Sequence, residues 1–357
     1  MLSLYMIFKI MTIIREMYMK VDIERLKNLI RKIGDAKVLV VGDLALDEMV
    51  YGDTERISRE APVLILQHTY TKYILGGASN AAHNVATLNN GKVSVIGVIG
   101  EDYQAQDLKN AFEEANIDCT NLIPDKTRKT ITKTRISGSC SHSITQQIVR
   151  IDRQTNAPIS AETEAKMIDA IKTLLPKYDA VILSDYHIGT LTDNIIKTVV
   201  DMANKYSKIV IVDAQKDLDR YKGVYTMTPN LPDTQKHVGF FLNKKDDFQK
   251  AGKIIIDQVN ANNILITCGA EGMVVVEKDG NYTHIPVFNK SKVFDVTGAG
   301  DTVTATYSLA LAAGADPVYA AIIGNIAAGI VVKQYGCATT TIDEILQAVP
   351  SSIELEL

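Results

Sequence analysis

The feature that most constrains the fold of this chain is a series of short apolar runs that end in turn residues, with helix-period segments between them. A run that is apolar throughout is typical of a strand buried on both faces, as in a parallel sheet. This alternation predicts an α/β sandwich around a mainly parallel sheet, with ligand-binding loops at the carboxyl ends of the strands. The predicted strands are 38–41, 93–99, 180–185, 209–213, 225–228 and 264–268, and the predicted helices are 78–88, 103–115, 161–175, 193–205 and 246–260.

Two stretches, at about 48–75 and 127–151, depart from this alternation. They are rich in β-forming residues with polar residues between them, which predicts a small separate sheet. Because both are inserted between α/β units, we expect them to form a lid over the edge of the main sheet, although a solvent-facing extension with no role in the site fits the same pattern. We assign residues 1–36 to an N-terminal extension with a leading amphipathic helix at 21–33, and residues 37–357 to the main domain.

The composition excludes several classes of protein. With 46% hydrophobic and 22% charged residues, the chain is neither fibrous, disordered nor membrane-embedded. Its 38 basic and 42 acidic residues give a net charge of −4, so we expect no nucleic-acid partner and no membrane partner. The four cysteines lack CxxC spacing, and Lys9, Arg15 and Glu16 interrupt the apolar start, so we expect no export and a cytoplasmic location. Residues 1–18 are either an extension beyond the true start or an amphipathic surface anchor.

The segment most informative about function is DVTGAGD at 295–301, followed by a small and apolar run at 302–313 that predicts a buried helix. Its glycines allow backbone N–H groups to converge at the positive end of that helix, which makes an anion cradle. Asp301 adds a carboxylate that could take the proton of a hydroxyl nucleophile. The alternative is a tight strand-to-helix turn with Asp301 as the N-cap. No GxxxxGK[ST] P-loop occurs in the sequence, and this segment lacks the third glycine of the dinucleotide-binding fingerprint.

Two other glycine motifs precede this segment. GGASN at 76–80 opens a predicted helix, and the amide of Asn80 suits the hydroxyl groups of a sugar. GVIGED at 97–102 ends a predicted buried strand and is as typical of a strand-exit turn as of a ligand contact. Each motif alone is weak evidence.

Together, GGxxN, GxIGxD and DxTGAGD in this order resemble the ribokinase-like (PfkB) carbohydrate kinases, and the resemblance extends from Val38 to the end of the chain. It implies a three-layer α/β/α ribokinase-like sandwich with a β-sheet lid, and phosphoryl transfer from ATP with Mg²⁺. It also implies a kinase domain only, without the nucleotidyltransferase module that is fused to some relatives. In that family the last aspartate of GAGD is the general base and the glycine-rich turn is the anion hole, so the implied catalytic residues are Asp301, Gly298, Ala299 and Gly300.

Within this family the chain looks most like the heptose-7-phosphate kinase branch, through VGDLALD at 41–47, TKTR at 132–135, QQIVRID at 146–152, SDY at 184–186 and TPN at 228–230. This resemblance implies that Lys133 and Arg150 contact the substrate's own phosphate from the lid. The implied sugar-binding residues are Asp43, Asp47, Gly76, Gly77, Asn80 and Asp185. The implied ATP-binding residues are Asn230, Asp233, Thr267, Gly269, Gly272, Thr297, Gly298 and Gly300, with Asp233 holding Mg²⁺ through water.

The chain departs from this branch at three places near the expected polyphosphate. The SDYxKG turn has Ile188 where the lysine belongs, DPKG is replaced by DAQK at 213–216, and NxxE becomes NLPD at 230–233, one methylene shorter. The loss of basic residues there would weaken charge neutralisation in a reaction that depends on it.

Several alternatives therefore stay open. The substrate could be another sugar, such as a fructose phosphate, or a nucleoside, and the chain could be a catalytically weak relative that senses a sugar or nucleotide. Arg150 and Asp152 could form an ordinary ion pair on a strand face, and Asp185 could close its own turn. Lid sheets have exposed edges that favour pairing, so we expect a homodimer through the lid.

Overall fold

The computed structural model describes residues 18–140, 143–288 and 293–356, so the predictions for residues 1–17 lie outside the described part of the chain. The strands are β1 Tyr18–Lys20, β2 Val38–Gly42, β3 Leu44–Ile57, β4 Leu64–Gly77, β5 Val93–Ile99, β6 Leu122–Pro124, β7 Ile131–Cys140, β8 Ser143–Arg153, β9 Ala180–Asp185, β10 Ile209–Ala214, β11 Thr226–Met227, β12 Asn263–Thr267, β13 Met273–Glu277, β14 Tyr282–Ile285 and β15 Glu354–Glu356. The helices are α1 Ile23–Lys32, α2 Ala78–Asn89, α3 Tyr103–Glu114, α4 Ala161–Leu174, α5 Asp193–Tyr206, α6 Leu231–Val238, α7 Lys245–Val259, α8 Ala299–Ala312, α9 Pro317–Val331 and α10 Ile342–Ala348.

A nine-stranded central sheet runs in the order β14-β13-β12-β11-β10-β9-β2-β5-β6. The strands from β12 to β6 are parallel, and β13 and β14 are antiparallel. Both faces are covered, since Val40 packs in an apolar cluster with α1, α2, α8 and α9, and Val41 packs in a second cluster with α4, α5 and α7. Burial on both faces explains why β2 is apolar at every side-chain position. The predicted three-layer α/β/α sandwich is confirmed.

A second, smaller sheet has the strand order β4-β3-β7-β8, with β3 parallel to β7 and the other neighbours antiparallel. Its strands come from the stretches 48–75 and 127–151, but β3 begins at Leu44 and β4 ends only at Gly77. The sequence around these ends is apolar or glycine, so composition marks no boundary there.

β3 and β4 of the small sheet are joined to the main domain without linkers. Asp43 alone separates β2 from β3, and β4 runs directly into α2. At this junction a Cβ on Gly42 would lie 2.0 Å from the carbonyl oxygen of Ser184, so only glycine lets β2 approach β9 this closely.

The predicted buried helix after DVTGAGD is α8, which extends from Ala299 to Ala312. Its threonine and serine side chains are buried because their hydroxyls bond to the preceding turn: Thr306 donates to the Thr302 carbonyl at 2.7 Å, and Ser308 donates to the Thr304 carbonyl at 2.6 Å. Small residues therefore let α8 pack closely against α9 and α2 without leaving polar groups unpaired.

In the part of the chain that the structure covers, no helix has both the length and the apolar composition needed to cross a membrane.

Candidate active site

The carboxylate of Asp301 lies in the first turn of α8 and is buried. The amide Nδ2 of Asn80, on α2, donates to its Oδ2 at 2.6 Å, and the hydroxyl of Tyr186, just after β9, donates to its Oδ1 at 3.0 Å. Burial raises the pKa of Asp301 to about 6, against the opposing effect of these two donors. Gly298 occupies the N-cap position, so Asp301 does not cap its own helix.

The turn before α8 is shaped by Gly298 and Asp295. Gly298 has φ 78°, and a Cβ there would lie 2.7 Å from Nδ2 of Asn80, so this position requires glycine for both conformation and space. The carboxylate of Asp295 accepts from the backbone N–H of Thr297 at 2.9 Å and from that of Gly336 at 2.9 Å. These bonds fix the turn from its outer side.

The carboxylates of Asp43 and Asp185 bond to the loop after β9, and their predicted contacts with sugar hydroxyls stay a prediction. Asp43 accepts from the backbone N–H groups of Tyr186 at 2.9 Å and Ile188 at 3.1 Å. Asp185 accepts from the backbone N–H of His187 at 2.7 Å, which is the turn-closing alternative considered for it. Both carboxylates therefore build the loop that carries Tyr186.

A buried arginine that the sequence analysis missed holds the same loop. Arg128 donates to the carbonyl oxygens of Thr155 at 2.6 Å and Ile188 at 2.5 Å, and also to that of Ala157. Arg128 as a whole is 7% exposed, so these three carbonyls replace the water that its guanidinium gives up on burial. No motif marked this residue, because the need for it arises only where distant loops meet.

Charged residues of the small sheet face Asp301. Oδ1 of Asp47 lies 2.8 Å from a guanidinium nitrogen of Arg135, an ion pair without the angles of a hydrogen bond. The ammonium of Lys133 lies 5.6 Å from the centre of the Tyr186 ring. Asp47 raises and Lys133 lowers the pKa of Asp301. Arg135, which belongs to the TKTR segment but was not predicted as a site residue, therefore stands with this group.

Arg150 lies on the edge strand of the small sheet, opposite Arg135. Its guanidinium pairs with the carboxylate of Asp152 at 2.8 Å, and its side chain is 49% exposed. This contact is the strand-face ion pair that the sequence analysis gave as an alternative. The predicted contact of Arg150 with a substrate phosphate stays a prediction.

A pocket of about 170 Å³ adjoins Asp301 at the carboxyl ends of the central strands. It brings together several predicted residues with others that were not predicted as site residues, among them Asp213 near the end of β10. Burial, with Asp301 and Asp233 as neighbouring negative charges, raises the pKa of Asp213 to about 8. In the described part of the chain the lining residues are Asp185, Tyr186, Asp213, Ala214, Gln215, Thr228, Asn230, Asp233, Thr267, Gly298, Gly300 and Asp301.

The displaced lysine of the DAQK segment does not restore a positive charge to this pocket. Gln215 lines the pocket, whereas Lys216 lines a second cavity of about 380 Å³ that shares Asp185 with the first. The described lining of the first pocket therefore has four aspartates and no basic residue. Among the described residues, no three His, Cys, Asp or Glu side chains are grouped so that they alone could hold a metal ion.

Comparison with known proteins decides the family. Residues 35–344 match the pfkB family of carbohydrate kinases. The chain belongs to this family. The kinase is 36% identical over 329 residues to the bifunctional protein HldE of Pelobacter propionicus. This alignment covers 92% of the chain and 66% of the relative. It is 38% identical over 311 residues to HldE of Aliarcobacter butzleri, covering 87% of the chain and 63% of the relative. The kinase thus spans at most 66% of the length of these two relatives.

Solved structures support the fold of the kinase. Ribokinase of Arabidopsis thaliana, complexed with ribose and ATP, matches with a TM-score of 0.66 and 15% identity, covering 88% of this chain and 98% of that one. Phosphofructokinase-2 of Escherichia coli in complex with potassium matches with a TM-score of 0.70 and 16% identity over the same shares of the two chains. The predicted ribokinase-like fold is confirmed by this likeness.

The remaining predicted residues divide between the pocket and its surroundings. Asn230 caps α6 through a 2.8 Å bond from the backbone N–H of Asp233, and its amide donates to that carboxylate at 2.7 Å. Gly269 and Gly272 lie in the turn between β12 and β13, outside the described pocket lining. Asp213 had two signals in the sequence: it begins DAQK, which stands in the place of DPKG, and it ends an apolar run at the sheet edge where ligands bind.

Replacing Asp213 with Asn should stabilise the kinase at pH 8. The folded protein holds a proton on Asp213 up to about pH 8, whereas the unfolded chain releases it above about pH 4. Stability linked to this group is therefore complete below about pH 4 and is lost as the pH rises to about 8. Melting temperatures measured from pH 4 to pH 8 in EDTA should show a difference between variant and wild type that starts near zero and grows in favour of the variant.

Asp219→Asn, which changes an exposed aspartate in the turn after β10, is the matched control and should give a difference that does not grow with pH. A variant of Asp213 that melts below wild type at pH 8 would show that the native carboxylate is stabilised by its surroundings.

Proposed function

We propose that this kinase transfers the γ-phosphoryl group of ATP to a hydroxyl of a sugar phosphate, with Asp301 as the general base. The leading substrate is heptose 7-phosphate, phosphorylated to the 1,7-bisphosphate. The observation that carries the proposal is the position of Asp301, whose carboxylate is held by two donors beside the glycine turn that begins α8.

In this reaction the sugar hydroxyl gives its proton to Asp301 while its oxygen attacks the γ-phosphorus of ATP. The bond between the γ-phosphorus and the bridging oxygen breaks, and ADP leaves with that electron pair. The backbone N–H groups at the start of α8, near Gly298 and Gly300, face the charge that develops on the transferred group. A pKa of about 6 leaves Asp301 ionised at pH 7, which a general base requires. Such a base typically contributes about 10²–10⁴ in rate.

The residues near the triphosphate fit Mg²⁺. Asp213 and Asp233 face one pocket with no basic residue in its described lining, and Mg²⁺ prefers one or two carboxylates together with waters and phosphate oxygens. Asp233 would hold the ion through water, with Asp213 facing the same space. When bound, Mg²⁺ would neutralise phosphate charge that the lysines of related kinases would otherwise share. Asn230, Thr267 and the glycine turn would contact ATP.

Basic residues of the small sheet support a phosphorylated substrate. Lys133 and Arg135 lie on the face of the sheet that is close to Asp301, and Arg150 is the register partner of Arg135 on the next strand. A dianionic phosphate favours such charge-assisted donors. Asn80 and Asp47 would lie nearer to the sugar hydroxyls.

The specific observation that favours a second function is the acidic pocket with Gln215 in the place of a lysine. Weak charge neutralisation there would suit a relative that binds a sugar or nucleotide and transfers phosphate slowly or not at all. The two functions are separated by turnover of the wild-type kinase.

We also propose a homodimer through the small sheet. The outer parts of β4 and β8 expose large apolar side chains, including Tyr70, Leu64, Ile148 and Ile151. Unpaired strand edges with apolar side chains favour association with a second copy. Sedimentation at micromolar concentration would contradict this proposal if it detected monomers alone.

The substitution Asp301→Asn should abolish phosphoryl transfer while leaving ATP binding nearly intact. The amide cannot accept the proton of the hydroxyl, so we expect turnover to fall by about 10²–10⁴. Turnover is measured by ADP release and ATP binding by calorimetry, with Asp219→Asn as the control for a neutralised aspartate outside the site. Normal turnover in the Asp301 variant would refute the mechanism.

A panel of sugars and sugar phosphates should show a preference for phosphorylated acceptors that depends on Arg150. For Arg150→Met we expect kcat/KM to fall for sugar phosphates and to stay near wild type for unphosphorylated sugars, because only the former offer an anion. Lys172→Met removes a basic residue of α4 as the control. Equal wild-type rates with and without the acceptor phosphate would exclude the role proposed for Arg150.

A further inference from the structure

We infer that Tyr186 is the positioning residue of this kinase's base: its phenol holds the Asp301 carboxylate in the orientation that accepts the proton of the sugar hydroxyl. The inference rests on the proposed function, in which Asp301 is the general base. It assigns Tyr186 a role that the sequence motifs did not give it.

The two hydrogen bonds to Asp301 come from different elements and reach different oxygens. Asn80 is on α2 and donates to Oδ2 at 2.6 Å, while Tyr186 follows β9 and donates to Oδ1 at 3.0 Å. A carboxylate with one donor can rotate about its terminal torsion, which has a broad energy well. A second donor on the other oxygen fixes the plane of the carboxylate and leaves its remaining lone pairs for the substrate.

The loop that carries Tyr186 is fixed more firmly than a surface loop. The N–H of Tyr186 donates to Asp43, and the following residues donate to Asp43 and Asp185. Arg128 binds the loop carbonyl at Ile188 from the other side. Buried charged groups thus hold this segment to the central sheet, and the phenol is the part of it that reaches Asp301. A base positioned in this way depends on a preformed scaffold.

The phenol remains a hydrogen-bond donor over the working pH range. Burial and the neighbouring Asp301 raise the pKa of Tyr186 well above its usual value, so the hydroxyl keeps its proton. The ammonium of Lys133 lies 5.6 Å from the centre of the same ring, a cation–π contact that helps to hold the ring in place. The titratable groups that influence Asp301 from the surrounding elements are Lys133 of β7, Asp47 of β3, Asp213 of β10, Tyr186 after β9 and Cys337 after α9.

The test is Tyr186→Phe, which keeps the ring beside Lys133 and removes only the hydroxyl. Without this donor the ionised form of Asp301 loses a charge-assisted bond, so the acid limb of the kcat/KM profile should move up by about 1–2 pH units. Loss of the fixed carboxylate plane should lower kcat at the pH optimum roughly 10–100-fold. KM for ATP should stay within the error of the wild-type value.

The matched control is Tyr221→Phe. Tyr221 is also a buried tyrosine whose hydroxyl donates to an aspartate, Asp185, at 2.5 Å, but it does not contact Asp301. Its variant should lower the melting temperature without moving the acid limb. If both variants lower kcat equally and neither moves the acid limb, Tyr186 has only a structural role and the inference is overturned.

A second variant covers the case in which Tyr186→Phe does not fold. Genetic encoding of 3-fluorotyrosine at position 186 keeps the shape and the hydrogen bond but makes the phenol a stronger donor. The acid limb should then move down, opposite to its movement in Tyr186→Phe, and an unchanged limb would overturn the inference.

Wild type and Asp301→Asn are assayed alongside. Equal turnover of these two, or a wild-type kinase that releases no ADP in the presence of sugar phosphates, rejects the proposed function itself. Active wild type, inactive Asp301→Asn and an unshifted Tyr186 variant reject only the role of Tyr186.

Discussion

The arrangement of the candidate active site depends on one buried residue, Asp43, at the point where the central sheet passes into the small sheet. Its backbone N–H donates to the Ser184 carbonyl of β9, and its own carbonyl accepts from the first N–H of α2. Its side chain binds the N–H groups of the loop after β9. A single residue thus fixes the relative positions of a strand, a helix and a loop. Asn80 lies in the first turn of that helix and Tyr186 begins that loop. Asp43 therefore helps to position both side chains that donate to Asp301.

The main elements were predictable because burial on both faces leaves an unmistakable pattern. β2 and β9 are apolar almost throughout, and the helices between strands keep a clear period. The first strand of the small sheet was predicted to begin at about residue 48, whereas β3 begins at Leu44. Residues 44–46 are as apolar as β2, so the composition does not show that a new strand has begun. Strand pairing, which the sequence does not encode locally, sets the true ends.

The sequence motifs predicted many of the residues that the structure places near Asp301, but not what each of them contacts. A carboxylate at the end of a strand gives the same sequence pattern whether a ligand or a backbone N–H group binds it. The sequence therefore did not predict that Asp43 and Asp185 bond to the loop after β9. Arg128 belongs to no motif, and Asp213 was noted only as the first residue of DAQK, the segment that departs from DPKG. The roles of both residues become visible only when distant segments are brought together. The displacement of Lys216 by one residue is visible in the sequence, but its consequence is not. In the structure Lys216 lines the second cavity and not the pocket beside Asp301.

The direct connections between the two sheets have a mechanical consequence. Where sheets are joined by flexible linkers, one can rotate while the other keeps its local geometry. Here Gly77, with φ 55° and ψ −137°, passes straight from β4 into the turn of α2 that contains Asn80. Where β3 and β4 join the main domain, a swing of the small sheet must be absorbed as backbone torsion at Asp43 and Gly77. Such torsion would tilt the Asn80 amide that donates to Asp301, so a movement of the small sheet would be transmitted directly to the proposed base.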